Sequence, residues 1–136
     1  MSQENVEIAR RCVELVRPFD AELLGSRVGA DLLDPGLEVH DHDSPDLMVL
    51  TGHDGFLRWI DDWDEAWAEW SIEPDEFIDA GGQIVVLHRL SARGRGSGVR
   101  LIRRDGMVWT MRNGKAVRLD HFNSASEALE AAGLSE

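Results

Sequence analysis

Four consecutive strand patterns between residues 70 and 123 limit the fold more than any other feature of the chain. Each combines β-branched, aromatic or long apolar residues, and turn residues separate one pattern from the next. In chain order they are WSIEPDEFIDAGG, QIVVLHRLSARG, SGVRLIRRDGMVWTMRNG and KAVRLDHFN. Tight turns fit Gly81–Gly82, the GRGSG tract and Asn113–Gly114, the last being the strongest type I′ hairpin signal in the chain. We therefore predict an antiparallel meander, in which Asp105–Gly106 either breaks the third strand or marks a bulge.

Helical patterns come before these strands. Ser2 can cap a first helix with a broad apolar face, and Pro18 ends or kinks that helix. Asp20 can cap a shorter helix that runs to Leu24. The segment LEVHD, residues 37–41, then predicts a short strand.

One long amphipathic helix is predicted from FLRWIDDWDEAWAEW, residues 56–70. At about 100° per residue, its apolar side chains fall within an arc of about 120° and its charged side chains lie outside that arc. The arc contains four of the five tryptophans: Trp59, Trp63, Trp67 and Trp70. Packing against a sheet is the favoured interpretation, and an aromatic cage or an exposed partner surface is the alternative.

Together these elements predict a single α+β domain that spans residues 1–136. Its last element is a short helix, which a capping box of Ser124 and Glu127 opens and Gly133 ends. Helices come first, and an antiparallel meander with a helix laid across it follows.

The charge pattern argues against two classes of partner. The net charge is −12 and Lys115 is the only lysine, so phosphate backbones and anionic lipids are repelled. No signal peptide is visible, and no apolar run is long enough to span a membrane. Cys12 is the only cysteine and lies in a helical apolar pattern, which fits a reduced core residue. We therefore expect a cytoplasmic protein that binds neither nucleic acid nor membrane.

The order and spacing of several segments resemble the SnoaL-like branch of the nuclear transport factor 2-like superfamily. These segments are LLDPGLEVH, GHDGFLRW, EPDEFIDAGGQIVVL, GRGSGV, VWTMRNGKAVRL and ASEALEAAGL. The resemblance implies a curved antiparallel sheet wrapped around the N-terminal helices and the long amphipathic helix, with a conical pocket inside. It also implies homodimers that pair through the outer face of the sheet. Such proteins include polyketide cyclases, ketosteroid isomerases, epoxide hydrolases, dehydratases and non-catalytic binding proteins, so function has to be argued from the site.

Two side chains are candidates for acid–base chemistry. Asp41 shares one strand face with Leu37 and Val39, and these apolar neighbours predict that the face is inward. The resemblance agrees, because the isomerases carry their general-base aspartate there. His121 shares a face with Val117 and Leu119, and this apolar pair predicts in the same way that the face is inward. The resemblance implies that the cyclases use an aspartate with a nearby histidine, and a histidine can act as acid or base near neutral pH. We predict that Asp41 and His121 are opposed across the pocket, the alternatives being a turn-capping aspartate and a histidine bonded to a backbone carbonyl.

The pocket walls are expected to be apolar and aromatic, which suits a small hydrophobic ligand. The predicted lining residues are Phe19, Trp59, Trp63, Met107, Trp109 and Met111. The resemblance implies that the ketosteroid isomerases use a tyrosine and a second acidic group as donors to an oxyanion. This chain has no tyrosine, and Met107, which cannot donate, falls near the position of the acidic group, so ketosteroid isomerase activity as such is disfavoured. The Asp–Arg–Asp arrangement of the epoxide hydrolases would need Arg89 with Asp120 and a further acid that the sequence does not identify.

No metal and no cofactor are expected. His40 and His42 lie on the same side of a strand, and His53 or Asp43 could add a ligand, but no known metal motif is matched. The direction of His88 is unresolved, since apolar residues occupy both faces of its strand. The leading hypothesis is a cofactor-free isomerase, cyclase or dehydratase that acts on a small hydrophobic substrate. The alternatives are a non-catalytic binder or sensor of such a ligand and a purely structural dimer module.

Overall fold

The computed structural model describes residues 2–16, 31–43 and 48–134, and in this part of the chain three helices pack on one sheet. The helices are α1 (Ser2–Val16), α2 (Gly52–Ala66) and α3 (Ala125–Ala131). The strands are β1 (Leu33–Asp41), β2 (Met48–Thr51), β3 (Trp67–Asp79), β4 (Gln83–Gly94), β5 (Arg100–Arg112) and β6 (Lys115–Phe122). The α+β fold predicted from the sequence is confirmed. The predictions for Phe19 and for a helix from Asp20 to Leu24 concern residues outside the described ranges.

The six strands form one sheet in the order β2-β1-β6-β5-β4-β3. The strands β3 to β6 form the predicted antiparallel meander, and β2 is antiparallel to β1. The sheet is mixed rather than wholly antiparallel, because β1 runs parallel to β6. These two strands are far apart in the chain and are not joined by a hairpin, so an antiparallel arrangement is not imposed on them. Their register places Asp41 directly beside His121.

The meander differs from the sequence prediction at one point. The strand β5 is continuous through Asp105–Gly106, so the predicted break or bulge there is wrong. The irregularity lies instead between Thr110 and Met111 in the pairing of β5 with β6. Gly106 has a packing role, because a Cβ atom at this position would clash with the side chain of Ala128 in α3. The turn at Asn113–Gly114 has positive φ at both residues, 53° and 77°, as a type I′ hairpin requires.

The tryptophan-rich segment divides between a helix and a strand. The helix α2 ends at Ala66, and Trp67 and Trp70 belong to β3. Their predicted place on the helix is therefore wrong. The backbone becomes extended at Trp67, with φ −122° and ψ 138°, and pairs with Gly94 of β4. Pairing with the neighbouring strand overrides a helical pattern that the apolar residues alone would continue.

Apolar residues cover both faces of the sheet. The main core lies between the sheet and the helices α1 and α2, and it includes Cys12, whose pKa burial raises to about 12. A smaller cluster on the opposite face joins Val85, Leu87 and Val108 to α3. Because β4 is buried on both faces, its sequence has no alternation, which is why the direction of His88 could not be inferred. Among the residues that the structure describes, no helix has the length and apolar character needed to cross a membrane.

Candidate functional site

His121 lies between two carboxylates at the centre of the sheet. Its Nδ1 atom donates to Oδ1 of Asp41 at 3.1 Å, and its Nε2 atom donates to Oδ2 of Asp105 at 3.1 Å. The three side chains come from β6, β1 and β5, which are adjacent strands. His121 is 1% exposed and Asp105 is fully buried, whereas Asp41 is 8% exposed. The structure thus brings the two predicted residues, Asp41 and His121, into direct contact.

Two further residues close this arrangement. Arg103 donates two hydrogen bonds to the carboxylate of Asp105, at 2.6 and 2.9 Å, and a third to Asp43 at 3.0 Å. The backbone N–H group of Asp43 then donates to Oδ1 of Asp41 at 2.9 Å. Asp41, His121, Asp105, Arg103 and Asp43 therefore form a row of alternating charge, and the backbone N–H group of Asp43 joins its two ends. We call these five residues the charged cluster. An alternating arrangement of this kind compensates charges that would be costly to bury singly.

The pKa values follow from these contacts. Burial alone raises the pKa of Asp41, but the hydrogen bond and positive charge of His121, together with the Trp59 indole, outweigh it and the pKa is lowered. Burial likewise opposes a charge on Asp105, and its bonds to His121 and Arg103 lower the pKa. For His121 burial lowers the pKa, but the carboxylates of Asp105 and Asp41 outweigh burial and raise the pKa to about 9. At neutral pH the imidazole is therefore protonated, and both ring nitrogens are donors.

The helix α2 contributes two indoles to the surroundings of the charged cluster. The Nε1–H group of Trp59 donates to Oδ2 of Asp41 at 2.9 Å. Trp63 places its ring edge-on to the imidazole of His121, with centroids 5.5 Å apart. Trp59 is thus a core residue, as predicted, and it also positions an acid, whereas Trp63 is half-buried and packs against the core.

His88 is the interior neighbour of the charged cluster. Its ring lies 6.0 Å from that of His121, centroid to centroid, and it is 1% exposed. Within the described part of the chain, neither of its ring nitrogens has a hydrogen-bond partner. Burial, and then the positive charge of His121, lower the pKa of His88 to about 4, so its imidazole is neutral at pH 7.

Among the residues that the structure describes, two spaces adjoin the charged cluster. An open cleft of about 190 Å³ lies over Asp41, and its walls are Asp43, Met48, Trp59, Asp62, Trp63, Ala66 and Trp67. A cavity of about 10 Å³ lies further inside, between His88, His121, Trp59, Trp63 and Met107 among others. That cavity has room for about one water molecule, so of the two spaces it is the cleft that can admit a larger ligand.

The predicted lining residues separate into two groups. Trp59 and Trp63 line both spaces, and Met107 lines the inner cavity. Trp109 and Met111 line neither of the two, because they pack in the main core, where Trp109 is fully buried. Their strand face does point inward, as predicted, but apolar neighbours cover it.

The histidines that the sequence suggested as metal ligands have other partners. His40 bonds to Glu38 at 2.8 Å, His42 to Asp120 at 2.9 Å, and His53 to the backbone carbonyl of Leu33 at 2.9 Å. None of the three belongs to the one group of converging ligand atoms found among the described residues.

An Asp–Arg–Asp arrangement is present, although not where the sequence suggested it. Arg103 lies between Asp43 and Asp105. Arg89 is exposed, and Asp120 pairs with Arg118 at 2.8 Å, so the suggested pair does not form this arrangement.

Comparison with known families now identifies the fold. The family model described as "SnoaL-like domain" matches residues 10–119, which is more than half of the chain. The chain belongs to the SnoaL-like domain family. This confirms the resemblance stated from the sequence. A comparison with curated proteins finds no significant match.

Solved structures give the same fold for this SnoaL-like domain. TerC, co-crystallised with polyporic acid, is 21% identical, with 96% of this chain and 98% of that chain covered and a TM-score of 0.72. A protein assigned to the SnoaL-like polyketide cyclases, from Jannaschia sp. CCS1, is 17% identical over 89% and 85% of the two chains, with a TM-score of 0.75. A Catenulispora acidiphila DSM 44928 protein with a ketosteroid isomerase-like fold, in complex with trimethylamine, is 16% identical over 94% and 93%, with a TM-score of 0.72. At these identities the similarity shows the fold alone.

Sequence reasoning did not assign three residues to the candidate site of this SnoaL-like domain: Arg103, Asp105 and His88. The alternation of β5 contained a signal for two of them, since Arg103, Asp105 and Met107 are two residues apart and so share a face. The interpretation of Asp105–Gly106 as a break hid this signal. For His88 the sequence contains no such signal, because both faces of β4 are apolar.

Proposed function

We propose that this SnoaL-like protein catalyses proton transfer on a small hydrophobic molecule, in an isomerisation, cyclisation or dehydration, with Asp41 as the general base. One observation carries the proposal: Asp41 belongs to the charged cluster and also lines the open cleft. Asp105 is fully buried, and His121 lines only the inner cavity. Asp41 and Asp43 are therefore the acids of this cluster that a molecule in the cleft can contact. Of these two, Asp43 is neutralised by its ion pair with Arg103 at 3.0 Å, which leaves Asp41 as the proposed base.

The cleft supports a ligand with a flat apolar body. Trp59, Trp63, Trp67 and Met48 supply aromatic and thioether surface, which binds planar apolar groups. Asp41 lies at the edge of this surface and is ionised at neutral pH, because its pKa is lowered. An ionised carboxylate is ready to accept a proton from the bound molecule.

The environment of Asp41 also limits the chemistry. A carboxylate with a lowered pKa is a weak base, so the substrate has to bring an activated proton, such as one between two carbonyl groups. His121 acts as a positioning residue, since it holds Oδ1 of Asp41 without contacting the cleft. After proton transfer, the neutral Asp41 is able to return the proton to a different atom of the substrate, which is the sequence of steps that an isomerase needs.

The test is exchange of substrate protons for deuterium. A panel of small aromatic β-dicarbonyl compounds is incubated with the protein in heavy water, and loss of the activated proton signal is followed by NMR. We expect exchange with the wild type and its loss in Asp41→Asn, with ligand affinity largely retained. Asp62→Asn is the matched control, because Asp62 lines the same cleft but pairs with Arg58 outside the charged cluster. Unchanged exchange in Asp41→Asn would remove Asp41 from the mechanism.

A non-catalytic binder or sensor is the second candidate. It is favoured by the hydrogen bonds that Asp41 already accepts from His121, Trp59 and Asp43, which hold the carboxylate in place and weaken it as a base. A ligand that binds in the cleft and exchanges no proton over long incubation supports this candidate. Mass spectrometry of compounds that copurify with the protein would identify such a ligand.

Two expectations from the sequence also remain proposals. We propose a homodimer that pairs through the outer face of the sheet. Ile102 on β5 and Val99, which directly precedes β5, are exposed apolar residues that support such a contact. Sedimentation that shows a monomer at micromolar concentration would contradict it. We also propose a cytoplasmic location.

A further inference from the structure

His88 is a buried polar group with no described partner. It is 1% exposed, and both of its ring nitrogens lack hydrogen bonds among the described residues. A buried donor or acceptor that stays unpaired destabilises the folded state. An ion that accepts a nitrogen lone pair would remove part of this destabilisation.

Two other ligand groups lie next to it. A ring nitrogen of His88, a ring nitrogen of His121 and a carboxylate oxygen of Asp105 all lie within 4.8 Å of one another. The Nε2 atom of His121 is 3.1 Å from Oδ2 of Asp105. Tetrahedral zinc with ligands at about 2.1 Å separates its ligand atoms by about 3.4 Å, so this pair already has nearly the required spacing. A small movement of the His88 ring completes a set of two imidazoles and one carboxylate.

We propose that His88, Asp105 and His121 form a binding site for a divalent transition-metal ion of the zinc type. The ion takes the place of the proton between His121 and Asp105. That Nε2 proton leaves to solvent, and the nitrogen lone pair bonds to the metal. The fourth position faces the inner cavity, which has room for about one water molecule.

The surroundings have the features that support metal ligands in proteins. The Nδ1–H group of His121 donates to Asp41, which leaves Nε2 as the ligand atom. Arg103 binds the carboxylate of Asp105 with two hydrogen bonds and fixes its orientation. With a divalent ion in place, Asp41 and Asp105 balance its two charges, and Asp43 balances Arg103.

This inference goes beyond the proposed function and does not depend on it. The Nδ1–H group of His121 donates a hydrogen bond to Asp41 whether Nε2 carries a proton or binds the metal. The cleft and its contact with Asp41 are therefore the same in both forms, and the two proposals are tested by different measurements.

The experiment is a zinc titration of the full chain after treatment with a chelator, followed by calorimetry and by thermal unfolding. We expect one zinc ion per chain and an increase in Tm. In His88→Phe we expect loss of zinc binding and a metal-free Tm above that of the metal-free wild type, because the unpaired imidazole is replaced by an apolar ring. Should that variant fail to fold, His88→Gln provides the second readout, with weaker zinc binding than the wild type.

His40→Gln is the matched control, since His40 is partly exposed and bonded to Glu38 away from the proposed ligands. It should bind one zinc ion as the wild type does. The proposal is overturned if the wild type binds no zinc, if His88→Phe binds zinc with unchanged affinity, or if His40→Gln loses the ion.

Discussion

The indole of Trp59 donates a 2.9 Å hydrogen bond to Oδ2 of Asp41. This bond connects α2 to β1 at the point where the charged cluster meets the cleft. A tryptophan in this position therefore has two roles, since its ring packs in the core while its N–H group orients the proposed base. The aromatic run packs chiefly in or against the core. It contributes to the site one hydrogen bond to Asp41, a ring contact with His121, and parts of the walls of the cleft and the inner cavity.

The first prediction tests that hydrogen bond. Trp59→Phe keeps an aromatic ring but removes the donor, and hydrogen bonds to charged groups contribute about 1.5–3 kcal/mol. We expect the free energy of unfolding to fall by about 2 kcal/mol more than in Trp63→Phe, measured by urea denaturation. Trp63→Phe is the matched control, because Trp63 contacts the charged cluster through its ring, against His121, and phenylalanine also has an aromatic ring. Equal losses in the two variants would show that the bond to Asp41 contributes no stability.

The second prediction concerns pH, in protein freed of metal by a chelator. The pKa of His121 is raised to about 9, so its contribution to stability is complete below pH 6.5 and is lost as the pH rises toward 9. The pKa of His88 is lowered to about 4, so its contribution is complete above pH 6.5 and is lost as the pH falls toward 4. Stability should therefore be greatest near pH 6.5. The lowered pKa values of Asp41 and Asp105 add a further loss at still lower pH, while Arg103 stays charged.

Urea denaturation at a series of pH values checks this maximum. His88→Phe should remove the decline between pH 6.5 and 4 and keep the decline on the alkaline side. A stability curve that is flat from pH 4 to 9 in the wild type would contradict opposite pKa shifts of the two buried imidazoles.

The third prediction compares two neighbouring arginines of β5. Arg103→Met leaves the buried carboxylate of Asp105 with His121 as its remaining partner, and breaking a buried ion pair costs about 3–5 kcal/mol. Arg104→Met removes exposed ion pairs with Asp75 and Glu76, which contribute about 0–1 kcal/mol. Chemical denaturation of both variants should therefore show a large loss in the first and a small one in the second. Similar values would mean that the charged cluster is not a stabilising unit.

The fourth prediction concerns the contact of α3 with the sheet. Gly106→Ala places a methyl group against the side chain of Ala128, and overpacking of this kind costs about 1–3 kcal/mol. Gly82→Ala has no atom within 4 Å of the added methyl group and should change stability by less than about 0.5 kcal/mol. Thermal unfolding of the two variants distinguishes them. An unchanged Tm in Gly106→Ala would show that α3 moves away at little cost.

Alternation along single strands predicted part of the site from the sequence. Leu37, Val39 and Asp41 share the buried face of β1, and His121 is buried on β6, as expected from their apolar neighbours. The expected burial of Val117 is not seen. Val117 is half-buried, since the irregularity beside Thr110 and Met111 turns Ala116 inward in its place.

The other residues of the site could not be predicted from alternation along one strand, because their positions depend on which strands pair and on which faces are buried. The partners of Arg103 come from β5 itself and from the turn after β1, so the parallel pairing of β1 with β6 had to be known. His88 lies on a strand that is buried on both faces, where alternation is absent. The end of α2 at Ala66 likewise depends on the pairing of Trp67 with β4.

Asp41 and His121 are 80 positions apart in the chain, and the parallel pairing of β1 with β6 is what brings them together. Pairing such distant strands closes a large loop, and the entropy of loop closure is lost before the strands form stabilising contacts. This step is therefore slow in folding. A refolding chain should therefore recover its helices and the local hairpins of the meander well before its acid and its imidazole meet. The contact between Asp41 and His121 then becomes a late marker of the native state, and the proposed binding or catalysis is expected only after it has formed.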